Sequence, residues 1–231
     1  MGLDAAGEHL GALTWTSRKV ASRQHIFHQG DPQRYVYLVK SGFVRLYTLL
    51  SNGRCQIIGF KSADDYVALQ YYPEHRFSAQ AISTVELQCV PVAEFYAAAS
   101  RDPQFMLKLF NVVGEDLFRA HDLVLTIAKR DAEGSLASFL LAIADRAAPN
   151  SKTEFVALPM RRGDIADYLG LTNETVSRIF TIFKKRGFIE VRGRHGIRLI
   201  NRNGLRAVTD RTVGLRKNSE LDRPELAGPA V

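Results

Sequence analysis

The chain has 231 residues, of which 46% are hydrophobic and 24% charged, so it falls among ordinary globular proteins with room for one or two hydrophobic cores. No stretch approaches the roughly 20 apolar residues of a membrane span, and the amino terminus lacks the basic and apolar segments of a signal peptide. We therefore expect a cytoplasmic protein without a membrane partner. The only cysteines, Cys55 and Cys89, form no zinc-finger or disulfide pattern, and we expect no metal or other cofactor.

The net charge of +7 is concentrated in one segment. Residues 152–211 contain 13 Lys and Arg against 6 Asp and Glu, which accounts for the whole excess. A local basic excess is typical of a nucleic-acid partner, although a solvated basic face is the alternative for any charge cluster taken alone. The motifs within this segment therefore decide between the two interpretations.

Residues 24–96 contain a series of short predicted strands. Runs of apolar, β-branched and aromatic residues alternate with turn signals. Asn52-Gly53 between two such runs predicts a hairpin, because both residues tolerate positive φ. Six or more strands with this spacing indicate a β-sandwich or jelly roll. We therefore place a sensor-type β domain at residues 1–101.

A long helix is predicted from Gln104 to Ala128, because this segment lacks proline and its apolar residues recur at steps of three and four. The resulting stripe consists of Leu109, Val113, Leu117, Ala120, Val124 and Ile127. A stripe this narrow resembles a coiled-coil seam, and a helix of this length spans about 40 Å, more than one small domain covers. We expect residues 102–130 to pair with a second copy of the chain. Packing of the stripe on the β domain is the alternative.

Residues 131–211 are predicted to form a winged helix-turn-helix. A helix from Ala132 to Ala147 is followed by a short amphipathic helix that ends at Gly170. A second amphipathic helix then begins with Thr172 or Asn173 as its N-cap. Two helices around a short turn are typical of a helix-turn-helix, and the following Gly- and Arg-rich loop between two short strands is typical of a wing.

The polar face of the second amphipathic helix matches a base-reading code. In a helix-turn-helix, the first residues of the second helix enter the major groove of double-stranded DNA. Arg178 can donate two hydrogen bonds to guanine, Glu174 can accept one from cytosine N4, and Ser177 can bond a base or touch a thymine methyl group. An ion pair between Glu174 and Arg178 on a solvated helix is the alternative.

Other polar residues around this helix are expected to contact phosphates, which positions the protein without specifying sequence. They are Arg161, Arg162, Thr172, Asn173, Thr175, Thr181, Lys184, Lys185, Arg192 and Arg194. A ligand-binding module with an incidental basic end explains neither the confined charge nor this polar face. The chain also lacks a nucleophile elbow, a P-loop, an H-E-x-x-H motif and a dinucleotide fingerprint, so we do not expect an enzyme.

The segment DIADYLGLTNETVSRIF contains the pattern E-x-x-S-R at Glu174, Ser177 and Arg178, and the stretch AKRDAEGSLASFL precedes it. With the long helix and the wing, these motifs resemble the CRP/FNR family of bacterial regulators, in its FNR and FixK branch, from about residue 24 to 207. The resemblance implies an α+β protein with a cyclic-nucleotide-binding-like β jelly roll, a long dimerisation helix and a winged helix-turn-helix. It further implies a homodimer on a symmetric site with TTGAT half-sites, acting with RNA polymerase as an activator in low-oxygen or nitrogen-oxide metabolism.

The chain departs from this family at the ligand-binding positions. The FNR protein holds an iron-sulfur cluster on four cysteines, three of them near the amino terminus, whereas this chain has no cysteine before Cys55. Members that bind cyclic nucleotides carry Gly-Glu and Arg-Ser pairs. This chain has ADDYVAL and RFSAQA instead, with two aspartates in the first stretch and Phe77 directly before Ser78 in the second. A FixK-like regulator that needs no small ligand is therefore our first interpretation, and a cyclic nucleotide contacted by Arg76 is an alternative.

Two further alternatives concern single side chains. Some relatives bind haem, and one histidine is enough for an axial ligand, although satisfied surface or core histidines are commoner. The candidates are His25, His28, His75 and His121. Cys55 near the predicted hairpin leaves a redox role open, whereas Cys89 is expected in the core. The polar residues 212–231 are expected to form a disordered tail.

Overall fold

The computed structural model describes residues 13–128, 131–147, 155–193 and 196–210. In these ranges an antiparallel β domain is followed by a long helix and by a helical carboxy-terminal domain with a small sheet, which confirms the predicted α+β class and the order of its parts. None of the helices in the described ranges combines the length and the apolar character that crossing a membrane requires. Arg194 and residues 212–231, for which the sequence predicts a phosphate contact and a disordered tail, lie outside the described residues.

The β domain is built from eight strands in two antiparallel sheets. They are β1 (Thr16–Val20), β2 (His25–Phe27), β3 (Tyr35–Ser41), β4 (Val44–Leu49), β5 (Cys55–Lys61), β6 (Tyr66–Val67), β7 (Ser78–Ala81) and β8 (Val85–Pro91). One sheet has the order β1-β8-β3-β6 and the other the order β2-β7-β4-β5, as expected of a jelly roll. Val39, Val44 and Leu87 are fully buried between the sheets, and Cys89 is buried there as predicted.

The predicted hairpin at Asn52-Gly53 joins β4 to β5. Gly53 has a φ of +77°, and its N–H donates to the carbonyl of Leu50 at 2.9 Å, so the turn uses the backbone conformation that glycine favours. Strand β1 was not predicted, because its sequence TSRKV is mostly polar and exposed. Strand β1 exists because its backbone pairs with β8. Since β8 is distant in the sequence, residues near β1 do not indicate this pairing.

Two helices connect the β domain to the rest of the chain. The predicted long helix is α2 (Pro103–Ala128). A shorter helix that was not predicted, α1 (Val92–Arg101), precedes it. Asp102 between them is extended, and its carboxylate accepts the N–H groups of Gln104 and Phe105 at 2.9 and 3.1 Å. Asp102 therefore ends α1 and caps α2.

The carboxy-terminal domain contains four helices and three strands within the described residues. They are α3 (Ala132–Ala147), β9 (Val156–Ala157), α4 (Arg162–Leu169), α5 (Asn173–Lys185), β10 (Ile189–Arg192), β11 (Gly196–Leu199) and α6 (Arg202–Asp210). The strands form an antiparallel sheet in the order β10-β11-β9, so the two predicted strands around the wing loop are confirmed. Helix α6, which was not predicted, packs against α3, and Arg202 forms an ion pair with Asp145.

The apolar core of the carboxy-terminal domain extends onto strand β5. Ile57 is fully buried in it, and the ring of Phe60 lies 6.0 Å from Phe139 of α3 and 5.2 Å from Tyr168 of α4. The outer face of β5 is therefore covered by the carboxy-terminal domain. This contact places the helix-turn-helix directly against the β domain.

Candidate nucleic-acid interface

Helices α4 and α5 form a helix-turn-helix whose turn consists of residues 170–172. Gly170 ends α4 with a φ of +67°, and the N–H of Leu171 donates to the carbonyl of Ala166 at 2.9 Å. Thr172 is the N-cap of α5, because its hydroxyl accepts the N–H of Thr175 at 3.1 Å. The predicted end of the first helix and the N-cap of the second are therefore confirmed, with Thr172 as the cap.

Helix α5 separates an apolar face from a polar one. Its buried residues are Val176, Ile179, Phe180 and Phe183, which anchor it in the domain core. The polar residues Asn173, Glu174, Ser177, Arg178 and Thr181 are all exposed on the other side. Because the fixed apolar face leaves the opposite side free, these groups are available to an external partner.

The exposed face of α5 carries two charged groups, Glu174 and Arg178. Among the described residues, neither the carboxylate of Glu174 nor the guanidinium of Arg178 takes part in an ion pair, so the alternative of an internal Glu174–Arg178 pair is not realised. The threonine hydroxyls are engaged locally. Thr181 donates to the carbonyl of Ser177 at 3.1 Å, and the hydroxyls of Thr172 and Thr175 lie 3.0 Å apart.

Most of the basic residues predicted to meet phosphates surround α5 and are exposed. They include Arg161 before α4, Lys184 and Lys185 in the last turn of α5, and Arg192 at the end of β10. Arg192 lies over the ring of Phe155, with 5.6 Å between its guanidinium carbon and the ring centroid, and Arg198 lies 5.1 Å from the same ring. An aromatic surface thus supports the charge at the base of the wing.

Arg162 differs from its predicted role. Its guanidinium carbon lies 3.2 Å from the ring centroid of Phe180, and burial lowers the pKa of Arg162 to about 10. The side chain is half-buried between α4 and α5 instead of projecting toward a phosphate. Arg161 and Arg162 are adjacent residues of the same type, and only the fold distinguishes the exposed one from the packed one.

The predicted stripe on α2 is divided between two environments. Leu109 is buried against the β domain. For this residue the alternative prediction, packing on the β domain, is confirmed. The other members face outward; Val124, for example, is 64% exposed. They are Val113, Leu117, Ala120, Val124 and Ile127. Exposed Phe110 and Phe118, which the narrow stripe did not include, widen this apolar surface.

A cavity of about 470 Å³ lies where the β domain, α2, α3 and α4 meet. Leu69, Phe77 and Phe139 are among its lining residues, and at its edge Lys61 donates to both carboxylate oxygens of Asp116 at 2.6 and 2.7 Å. Burial alone raises the pKa of Asp116, but Lys61 and Arg119 outweigh it and lower this pKa. The lining of the cavity is therefore mainly apolar, and Asp116 is held in it as a carboxylate by Lys61 and Arg119.

Two stretches of this chain correspond to the Gly-Glu and Arg-Ser pairs of members that bind cyclic nucleotides. Side chains in both stretches form contacts within the chain. The carboxylate of Asp65 pairs with Arg146, and the hydroxyl of Ser78 is buried and accepts the N–H of Gln29 at 3.0 Å. The guanidinium carbon of Arg76 lies over the ring of Tyr72, 4.9 Å from its centroid. A phosphate would have to displace these contacts before it could bind.

The environments of His25, His75 and Cys55 bear on the haem and redox alternatives. His25 lies 2.8 Å from the hydroxyl of Tyr47, and His75 stacks on Phe27 with 3.5 Å between ring centroids. Burial raises the pKa of Cys55, which reduces the thiolate fraction that redox chemistry needs. In the described ranges, three or more His, Cys, Asp or Glu side chains are nowhere grouped so that they could hold a metal ion.

Comparison with known proteins agrees with this architecture. Residues 17–102 match the cyclic nucleotide-binding domain family, and residues 134–208 match the Crp-like helix-turn-helix domain family. The nitrogen fixation regulation protein FixK of Bradyrhizobium diazoefficiens is 37% identical over 194 residues, which cover 82% of this chain and 80% of FixK. The fumarate and nitrate reduction regulatory protein of Salmonella typhi is 31% identical over 209 residues, 89% of this chain and 83% of that protein.

Among solved structures, FixK2 from Bradyrhizobium japonicum superposes with a TM-score of 0.79 at 36% identity, covering 85% of this chain and 98% of FixK2. The two matched domains and the exposed helix-turn-helix define a DNA-binding transcription regulator. The chain belongs to the CRP/FNR family, in its FixK-like branch.

Proposed function

We propose that the protein binds, as a homodimer, a two-fold symmetric DNA site with half-sites related to TTGAT and activates genes of low-oxygen or nitrogen-oxide metabolism. The observation that supports this most strongly is the exposed face of α5, on which Glu174, Ser177 and Arg178 have no competing side-chain partner among the described residues. Arg178 donates to guanine O6 and N7, Glu174 accepts from cytosine N4, and Ser177 contacts the neighbouring base.

Phosphate contacts position this face on the duplex. We assign them to Arg161, Thr172, Asn173, Thr175, Thr181, Lys184, Lys185, Arg192 and Arg194, of which Arg194 lies outside the described residues. Arg162 of α4 instead stabilises α5 through its contact with the buried ring of Phe180. A symmetric site requires two such surfaces, because each helix-turn-helix reads one half-site.

The homodimer is proposed to form through α2. On this helix of 26 residues an exposed apolar stripe consists of Val113, Leu117, Ala120, Val124 and Ile127. Burial of this stripe against its copy removes it from water. Residues 1–101 then form the β domain, 102–130 the dimerisation helix and 131–211 the DNA-binding domain. RNA polymerase is the expected partner at promoters, in the cytoplasm.

Ligand-independent binding is the first candidate mode of action, because the cyclic-nucleotide positions are occupied by internal contacts. The cavity of about 470 Å³ favours one second candidate, a sensor whose DNA binding depends on a small ligand. Addition of a cyclic nucleotide or haem to a DNA-binding assay distinguishes the two modes, because only a ligand-dependent sensor changes its affinity for DNA.

Fluorescence anisotropy with purified protein tests the proposed function. We expect a TTGAT palindrome to be bound about 1,000-fold more tightly than a scrambled duplex, with two chains per duplex in sedimentation. Equal affinity for both duplexes contradicts sequence reading, and one chain per palindrome contradicts the dimer.

A further inference from the structure

Polar contacts between the β domain and the carboxy-terminal domain surround the apolar contact at β5. Arg45 Nη1 on β4 donates to Asp164 Oδ1 on α4 at 2.6 Å. Gln56 Nε2 on β5 donates to the backbone carbonyl of Asp167 at 2.7 Å. Two strands of one sheet therefore hold the first helix of the helix-turn-helix directly.

Arg45 is firmly placed on the β side of this contact. Strand β4 is paired on both sides, with β5 and with β7, and Arg45 Nε donates to Gln80 Oε1 at 2.9 Å. The Arg45 and Asp164 side chains are only 25% and 12% exposed, so water and salt screen this pair less than a surface pair.

Asp164 has two functions in the same carboxylate. Its Oδ2 accepts the backbone N–H of Arg161 at 2.9 Å and so caps α4, while its Oδ1 accepts from Arg45. The ion pair therefore holds the amino-terminal end of α4, close to the residues assigned to phosphate contact. The apolar contact of Ile57 and Phe60 with the same domain is non-directional, whereas hydrogen bonds fix an orientation.

We propose that Arg45 is a positioning residue for operator binding: by holding Asp164 it fixes the orientation of the helix-turn-helix on the β domain. In the dimer, this orientation sets the distance between the two recognition helices and thereby the spacing of half-sites that the protein accepts. This inference rests on the proposed homodimer and symmetric operator. Helix-turn-helix dimers read half-sites about 34 Å apart, so a small rotation of each domain changes the preferred spacing.

Operator spacing provides a direct test. Affinities are measured for the palindrome, for the same palindrome with one base pair inserted between the half-sites, and for a scrambled duplex. The variants are Arg45→Met, Asp164→Asn and the double variant. Arg34→Met is the matched control, because Arg34 is exposed in the same domain and its side chain forms no hydrogen bond or ion pair among the described residues.

We expect wild type and Arg34→Met to discriminate strongly against the inserted base pair. Arg45→Met and Asp164→Asn each lower this discrimination about fivefold or more, and the double variant lowers it no further, since both remove the same interaction. Asp164→Asn retains an amide oxygen that caps α4, so it decides the question if Arg45→Met fails to fold.

Unchanged spacing discrimination in folded variants overturns the inference. Equal weakening on every duplex, the scrambled one included, also overturns it, because this result means a phosphate contact or general damage. A wild-type protein that binds palindrome and scrambled duplex alike overturns the proposed function itself, which distinguishes that failure from the failure of Arg45.

Discussion

The guanidinium of Arg162 lies over the ring of Phe180, with its central carbon 3.2 Å from the ring centroid. This contact joins the two helices of the helix-turn-helix on the side away from the exposed polar face. It assigns different physical roles to two neighbouring arginines, because Arg161 is exposed and Arg162 is half-buried.

Replacement of these arginines by alanine separates packing from phosphate contact. Arg162→Ala should lower the free energy of unfolding by about 1 to 2 kcal/mol, because it removes a desolvated cation–π contact and the packing of the aliphatic stem. Arg161→Ala should leave stability within about 0.5 kcal/mol and reduce the magnitude of the salt slope of DNA binding by about one unit. Denaturant unfolding and salt titrations measure both quantities. A reduced salt slope without a loss of stability for Arg162→Ala contradicts the assignment.

The exposed stripe of α2 gives a prediction about oligomeric state. Val124→Glu places a carboxylate next to its own symmetry mate in an apolar surface, which costs several kcal/mol, so sedimentation should show monomers. Asn111→Glu, on the same helix and outside the predicted stripe, adds the same charge and should remain dimeric. If Val124→Glu is still dimeric and binds the palindrome with wild-type affinity, the seam is placed wrongly.

Local sequence signals predicted the helix-turn-helix well. Gly170 supplies the positive φ that ends α4, and Thr172 supplies the hydroxyl that caps α5, so each boundary depends on one residue. The long helix α2 was also predicted from a local signal, because the spacing of its apolar residues lies within the helix itself.

Long-range contacts were not predictable from the sequence. Arg45 and Asp164 are 119 positions apart, and no pattern near either residue indicates its partner. The predicted stripe did not include the exposed residues Phe110 and Phe118, because positions spaced by three and four lie along one narrow line on the helix surface. The packing of Arg162 was not predicted, because residue type alone does not distinguish a packed guanidinium from an exposed one.

Acid should destabilise the β domain through buried His75 and half-buried His25. Burial lowers the pKa of His75 and of His25 below the ordinary 6.5, so the folded protein resists a proton that the unfolded chain accepts. Their stabilising contribution is complete above about pH 6.5 and is lost as the pH falls through that value toward the folded pKa.

His75→Phe tests this origin, because a phenyl ring still stacks on Phe27 but does not titrate. The free energy of unfolding of this variant should fall less between pH 7.5 and pH 5.5 than that of wild type, as measured by urea unfolding at about those two pH values. An identical pH dependence in both proteins shows that His75 does not contribute.

Operator affinity should be independent of cyclic nucleotides. Phe77 lines the cavity, Asp65 pairs with Arg146, and Arg76 lies over Tyr72, so a phosphate lacks a free partner at these positions. Addition of cAMP or cGMP to the anisotropy assay should leave the dissociation constant unchanged. A gain of about tenfold, equivalent to about 1.4 kcal/mol of coupling, contradicts this expectation.

The central claim is that α5 reads bases through Arg178, and comparison with a phosphate-contact residue tests it most directly. Arg178→Ala and Lys184→Ala both remove one positive charge from the same helix. They are to be measured on the palindrome, on palindromes with single-base changes and on a scrambled duplex, at two salt concentrations. Glu174→Ala is added to check the C·G pair.

Arg178→Ala should lose about 1 to 3 kcal/mol per half-site on the palindrome and little on the scrambled duplex, so that specificity collapses. Lys184→Ala should weaken all duplexes about equally, reduce the salt slope by about one unit per contact, and keep the specificity ratio. Glu174→Ala should relax the preference at the C·G pair. Equal loss on every duplex for Arg178→Ala contradicts base reading by this helix.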